Sequence, residues 1–141
     1  MKPALPLMLL ALMTGVAAPA AAQDAAQGAK DFAVRCAPCH GTDAKGDGPA
    51  AASLVKKPAN LTTISKRYGG TYPAGRVFET IEGLDMPNAH GTREMPVWGD
   101  VFLNEDLGSS TSLEDAVKAT DDASKRILAL VRYIETIQEK P

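Results

Sequence analysis

The feature that most constrains this chain is the segment Cys36-Ala-Pro-Cys-His40, because it contains both of the chain's cysteines and one of its two histidines. On a helical turn, positions i, i+3 and i+4 share one face. The thiols of Cys36 and Cys39 and the imidazole of His40 are therefore predicted to lie on one side of the chain, where they can bind the same ligand.

Three chemistries use such a segment. C-x-x-C-H is the signal for covalent haem attachment, in which each thiol adds to a vinyl group and the histidine binds the iron. A C-x-x-C redox disulfide usually begins a helix after a strand, whereas here the segment ends a predicted helix. A zinc site would need His90 as a further ligand, and the gap of about fifty residues after His40 is not zinc-finger spacing. The sequence favours one covalently bound haem c, attached through Cys36 and Cys39.

Helices are predicted at both ends of the remaining chain. Asp24 to Arg35 is rich in Ala and Gln and has no proline, and Asp24 is a candidate N-cap. Ala123 to Gln138 carries a single apolar stripe, and Asp121 or Asp122 can cap its start.

The middle of the chain is predicted to contain more loop than helix. Ala74 to Leu84 has apolar residues at helical spacing and is predicted to be a helix. Residues 41–75 are rich in Gly, Pro, Asn and Thr and read as loops, with one helical turn near Ala50 to Val55. Residues 104–123 are polar and acidic, with at most a short helix from Leu113 to Lys118. No segment alternates with the period of a strand, so the predicted fold class is all-α.

On these residues the chain resembles the class I c-type cytochromes, which are small bacterial monohaem proteins. In that family a Gly and an aromatic residue precede the C-x-x-C-H segment, as Gly28 and Phe32 do here, and Leu130 and Tyr133 match a pair on the last helix. The resemblance implies that the N- and C-terminal helices cross, with loops and short helices wrapped around one haem. Gly28 then permits a close approach of two helix backbones.

The resemblance also implies a hydrogen-bond acceptor for the histidine. In bacterial members, a loop proline carbonyl accepts the Nδ1–H of the ligand imidazole, which makes that imidazole a better donor to the metal. Pro49 is the candidate acceptor for His40, and Pro58 is the alternative.

The sixth iron ligand is expected from the segment DMPNAHGTREMPVWGD. Met95 is the preferred candidate, because MPVWG resembles the ligand segment of the family and a soft thioether raises the reduction potential. Met86 and His90 remain alternatives for the same position. Trp98 is expected to pack on the macrocycle edge and to donate its indole N–H to a propionate.

Residues 1–22 have the pattern of a signal peptide. A lysine follows the first residue, Leu5 to Val16 is mostly apolar, and Ala20-Ala21-Ala22 matches a cleavage site. The apolar run is too short and broken for a membrane span. We therefore expect a periplasmic protein with a single domain over residues 23–141 and no membrane span after cleavage.

The expected function is electron transfer by haem iron that alternates between Fe(III) and Fe(II), without chemical change of a substrate and therefore not as an enzyme. The alternatives are a haem-c subunit of a dehydrogenase or oxidase complex, and an open-site sensor or peroxidase-like enzyme. The formal net charge of −2 disfavours a nucleic-acid partner. Redox proteins are the expected partners, and the default oligomeric state is a monomer. Basic side chains can steer an acidic partner; they are Lys45, Lys56, Lys57, Lys66 and Arg67.

Overall fold

The computed structural model describes residues 20–84 and 95–140 of the chain. Over these ranges the regular structure is helical and contains no strand, which confirms the all-α prediction. The helices, with a π-helical turn at Phe32–Cys36 and a 3-10 turn at Ala51–Ser53, are α1 (Ala20–Asp31), α2 (Ala37–His40), α3 (Ile64–Arg67), α4 (Ala74–Glu82), α5 (Trp98–Leu107) and α6 (Leu113–Thr136).

The first and last helices cross in direct backbone contact. A Cβ atom built on Gly28 would lie 2.0 Å from the carbonyl oxygen of Ala129 and 2.9 Å from the nitrogen of Leu130. Only glycine fits there. One turn further on, the rings of Phe32 and Tyr133 pack with their centroids 5.1 Å apart. These contacts agree with the residue pairs on which the family resemblance was based.

The core forms around this crossing. Its largest fully buried side chains come from the first helical stretch, from α5 and from α6, and they are Phe32, Phe102, Ile127 and Leu130. Burying each of these side chains stabilises the folded state by roughly 1.5–3 kcal/mol relative to leaving it exposed. Since the π-helical turn with Phe32 leads directly into the C-x-x-C-H segment, the core fixes the position of that segment.

The first helix differs in detail from the prediction. Asp24 is not its N-cap, because the helix already begins at Ala20, and the helical path then continues through the π turn and α2 to His40. The alanine-rich residues before Asp24 are good helix formers, so they extend the helix rather than end it.

The last helix is much longer than predicted. It begins at Leu113 rather than Ala123, and neither Asp121 nor Asp122 caps it. Ser112 is the N-cap, and its hydroxyl accepts a 3.1 Å hydrogen bond from the backbone N–H of Asp115. Two of the acidic residues that suggested a loop, Glu114 and Asp115, instead fall in the first turn, where negative charge is favourable near a helix N-terminus.

Helix α5 was not predicted at all. Gly99 and the acidic residues 105 and 106 gave residues 98–107 a loop-like composition, yet Phe102 is fully buried in this helix. Phe102, with the half-buried Trp98 and Leu103, anchors this helix to the core.

Between residues 41 and 84 the predicted elements agree better with the structure. The 3-10 turn at Ala51–Ser53 lies within the predicted turn, and α4 occupies most of the predicted Ala74 to Leu84 helix. Gly83 ends α4 with a left-handed φ of 102°. Helix α3 was not predicted. Within the described ranges, none of the helices is both long and apolar enough to span a membrane.

Replacing Gly28 by Ala should separate α1 from α6, because the new methyl group would overlap the carbonyl of Ala129. We expect Gly28→Ala to lower the free energy of unfolding by about 3 kcal/mol. Urea unfolding followed by circular dichroism measures this change.

The matched control is Gly75→Ala in α4, where an added Cβ meets no atom within 4 Å. This change should stabilise the protein by up to about 1 kcal/mol, since alanine is the better helix former. Equal effects of the two substitutions would show that Gly28 does not hold the helix crossing.

Candidate functional site

The C-x-x-C-H segment follows a local irregularity of the first helix. Residues 32–36 form a π-helical turn, in which the N–H of Ala37 bonds to the carbonyl of Phe32. Such wide turns inside helices often occur at functional sites. The turn carries Cys36, and the following helix α2 carries Cys39 and His40. The segment therefore ends a helix, as expected.

The loop after His40 folds back and satisfies the end of this helix. The N–H groups of Gly46, Gly48 and Ala50 donate to the carbonyls of His40, Cys39 and Pro38 at 2.7, 3.1 and 2.8 Å. Carbonyls in the last turn of a helix have no partner within the helix. Three alternate residues of one loop supply those partners, so the backbone of the segment is held on one side.

Two glycines permit this close folding. A Cβ on Gly48 would lie 2.5 Å from the carbonyl oxygens of both Ala37 and Pro38. Gly46 adopts a left-handed φ of 85°, and a Cβ there would lie 2.2 Å from the carbonyl oxygen of Pro58. Both positions require glycine, because any side chain would push the loop away from its neighbours.

The imidazole of His40 is oriented by a backbone carbonyl. Its Nδ1 lies 2.9 Å from the carbonyl oxygen of Ala59. A carbonyl can only accept a hydrogen bond, so Nδ1 carries the proton. In the neutral ring the lone pair is then on Nε2, which is the tautomer required for binding a metal through Nε2.

The acceptor is therefore neither Pro49 nor Pro58, and the prediction for this bond was wrong. Pro49 is exposed, because the loop that contains it turns toward the backbone of α2 and carries the proline outward. The acceptor belongs to the next stretch of chain, one residue after Pro58. That stretch is held by a 2.8 Å hydrogen bond from the Leu61 N–H to the carbonyl of the fully buried Ala44.

Both cysteines are half-buried, and the structure contains no disulfide between them. Burial raises the pKa of the Cys36 thiol to about 12, and the negative charge of Asp31 adds to the rise, while Arg35 partly opposes it. Redox-active C-x-x-C motifs instead lower the pKa of their reactive thiol. The environment of Cys36 therefore argues against the redox-disulfide interpretation.

A charged cluster beside Cys36 was not predicted from the sequence. Arg126 of α6 donates to Asp31 at 3.1 Å and to Glu105 and Asp106 at 3.2 Å. Its guanidinium lies over the ring of Phe102, 4.0 Å from the centroid. The cluster links α1, α5 and α6 by charged hydrogen bonds. Its members are distant in sequence, so no local pattern could have indicated it.

The segment with Met95 is positioned by the ends of two helices. Met95 is half-buried and packs against the core. Two residues later, a methyl group of Val97 would lie 2.7 Å from a Cβ on Gly83, at the end of α4. A Cβ on Gly99 would lie 2.8 Å from the carbonyl oxygen of Glu82. These two glycines allow α5 to start directly against the end of α4.

Trp98 is the first residue of α5 and is half-buried, with its ring 5.8 Å from that of Phe102. Met86 and His90, the two alternatives for the sixth ligand, lie outside the described residues. So do residues 1–19, which include most of the predicted signal peptide.

The donor set fits a haem c. It includes two unbonded thiols and an imidazole whose Nε2 is left for a metal. The thioether of Met95 is half-buried on a separate segment. Half-buried apolar side chains that pack against the core include Leu61, Tyr72, Leu103 and Ile137. In the part of the chain that the structure describes, no three His, Cys, Asp or Glu residues cluster as a metal-binding group.

Comparison with known proteins gives one family. The family model described as "Cytochrome c" matches residues 25–138, which is most of the chain. The comparisons with curated proteins and with solved structures give no match. The matched region includes every residue that the structure places around His40.

Replacing Gly46 by Ala should weaken the hydrogen bond of His40, because the added methyl group would displace the carbonyl of Pro58 and with it the adjacent Ala59. We expect the Nδ1 proton of His40 to exchange with solvent at least about tenfold faster in Gly46→Ala. Proton NMR of the imidazole N–H resonance measures the rate.

Gly69→Ala is the control, because Gly69 has a similar positive φ of 68° but its Cβ would meet no atom within 4 Å. It carries a comparable backbone strain without the contact. If both substitutions changed the exchange rate equally, the contact between Gly46 and Pro58 would not be what positions Ala59.

Proposed function

Because the chain belongs to the cytochrome c family, we propose that it is an exported electron carrier with one haem c bound between His40 and Met95. Family membership itself indicates haem-based electron transfer. The observation that carries the finer proposal is the 2.9 Å contact between Nδ1 of His40 and the carbonyl of Ala59, directly beside two free thiols.

The C-x-x-C-H segment would hold the cofactor on one side. Cys36 and Cys39 would attach it through thioether bonds, and Nε2 of His40 would bind the iron. Because the N–H of His40 is donated to a carbonyl, the ring cannot rotate freely and its basicity is increased. Bound haem supplies an iron that gains or loses a single electron.

Met95 is the proposed ligand on the other side. A thioether is a soft donor that binds ferrous iron well, so it favours the reduced state. Val97 against Gly83, and Gly99 against Glu82, would limit the movement of this segment when the charge of the iron changes. Small ligand movement favours rapid electron transfer.

Trp98 is proposed to complete the site. Its half-buried indole lies at the start of α5, next to the segment of Met95. An indole has a single N–H donor, and a propionate is a suitable acceptor for it.

The proposed location is the periplasm. The signal-peptide pattern of residues 1–22 and the covalent mode of attachment both favour an exported protein. Partners would be redox proteins with acidic surfaces, because the basic side chains between residues 45 and 67 are exposed. Such contacts are weak and sensitive to salt.

The sixth ligand distinguishes a carrier from an open-site sensor or enzyme. The purified oxidised protein should show the weak iron–sulfur charge-transfer band of His/Met ligation, and the reduced protein should not bind carbon monoxide. Met95→Ala should abolish the band and admit carbon monoxide, because the replacement has no donor atom. Visible spectroscopy measures both properties.

Met86→Ala is the control and should retain the band. Loss of the band only in Met86→Ala would transfer the ligand assignment to Met86. Rapid carbon monoxide binding by the unaltered protein would instead favour the open-site function.

A further inference from the structure

One face of α6 carries three exposed apolar side chains, two near the start of the helix and one further along. Leu113, Val117 and Leu128 are 82%, 64% and 47% exposed. At about 100° per residue, these three, together with the half-buried Ser124, fall within a sector of about 60°. We call this set the α6 stripe. Its small central residue, Ser124, would allow another helix to approach closely.

The two halves of the α6 stripe have different surroundings. The second half borders a groove of about 390 Å³ between α4 and α6. Phe78 and Leu128 contribute apolar side chains to it, and a Cβ on Gly75 would meet no atom within 4 Å, so the groove is open on that side. The first half projects beyond the core, because the first buried residue of α6 is Ala119.

The projecting half of the α6 stripe and the groove are both apolar, and one is raised where the other is hollow. The projection presents two apolar side chains one helical turn apart, Leu113 and Val117, and the groove is lined mainly by apolar groups. Both features belong to the same face of the same helix. Two copies placed antiparallel can each insert their projection into the groove of the other, which is a two-fold, self-complementary interface.

The charges along the flank of the α6 stripe specify the orientation. Glu114, Lys118, Asp121 and Lys125 are exposed and alternate in sign. In an antiparallel pair centred near residue 120, Glu114 faces Lys125 of the second copy and Lys118 faces Asp121. The same register brings Leu113 close to Leu128. A parallel pair would turn this flank toward the opposite flank of the second copy, where Ala116 and Thr120 offer no charge to pair with.

Within one chain, Lys118 is already paired with Asp122, and Lys125 with Asp121. Exposed ion pairs of this kind contribute little to stability, so they offer little resistance to rearrangement. Each lysine can also bridge its own carboxylate and one from a second copy.

We propose that the α6 stripe is a self-association surface on which a second copy of this chain binds antiparallel. The stripe spans 15 helical steps and is therefore about 22 Å long. A contact of that length and one helix wide falls below the area of tight dimers, so the dimer is weak and forms at elevated concentration. The proposed dimer differs from the monomer expected by default.

Sedimentation velocity of the purified protein over a range of concentrations tests the proposal. The average mass should rise from one chain toward two, and Val117→Gln should raise the dissociation constant by about tenfold or more. Leu84→Gln is the control, because Leu84 is 72% exposed but lies outside α6; it should leave the dissociation constant unchanged. Detection by peptide absorbance makes the result independent of haem content.

A charge exchange tests the antiparallel register. Glu114→Lys and Lys125→Glu should each weaken the dimer, and the double variant should restore it, because opposite charges then face each other again. A single-chain mass at every concentration would overturn the proposal. So would a dimer that Val117→Gln does not weaken, or a double variant that does not recover.

Discussion

The contact between Gly28 and the backbone of Ala129 and Leu130 is the constraint on which the structure depends. It brings the first and last helices together without intervening side chains and allows Phe32 to pack against Tyr133. Because Phe32 begins the π-helical turn that carries Cys36, the crossing also fixes where the C-x-x-C-H segment lies. A substitution far from His40 can therefore alter the site through packing alone.

Beyond this crossing, backbone hydrogen bonds hold α2 and its C-x-x-C-H segment in place. Alternate N–H groups of the loop at residues 46–50 occupy the free carbonyls of α2, and the stretch after Pro58 delivers the carbonyl of Ala59 to His40. Peptide groups provide all of these contacts, and glycines are required where the chains approach most closely. The imidazole is therefore oriented by the fold rather than by a second polar side chain, and a local shift of the loop would change its tautomer and basicity.

The sequence predicted the parts of the molecule that depend on side-chain type and local spacing. The all-α class, α4 and the Gly28 crossing follow from periodicity, composition and the family resemblance. The start of α6 was missed because its polar sequence becomes helical through the N-cap Ser112. Helix α5 was missed because it is stabilised by the tertiary burial of Phe102. Ala59 was missed for a different reason: a carbonyl acceptor is present at every residue, and only the folded loop selects one. The cluster around Arg126 joins segments too distant for any sequence pattern to indicate.

The account rests on a haem covalently bound through Cys36 and Cys39, at the end of the first helical stretch. The most direct test is to treat the purified protein with acidified organic solvent and then to measure the mass of the polypeptide by mass spectrometry. We predict that the pigment stays with the polypeptide and that the measured mass equals that of the chain after signal-peptide cleavage plus one haem. A colourless polypeptide with the mass of the chain alone would contradict the account.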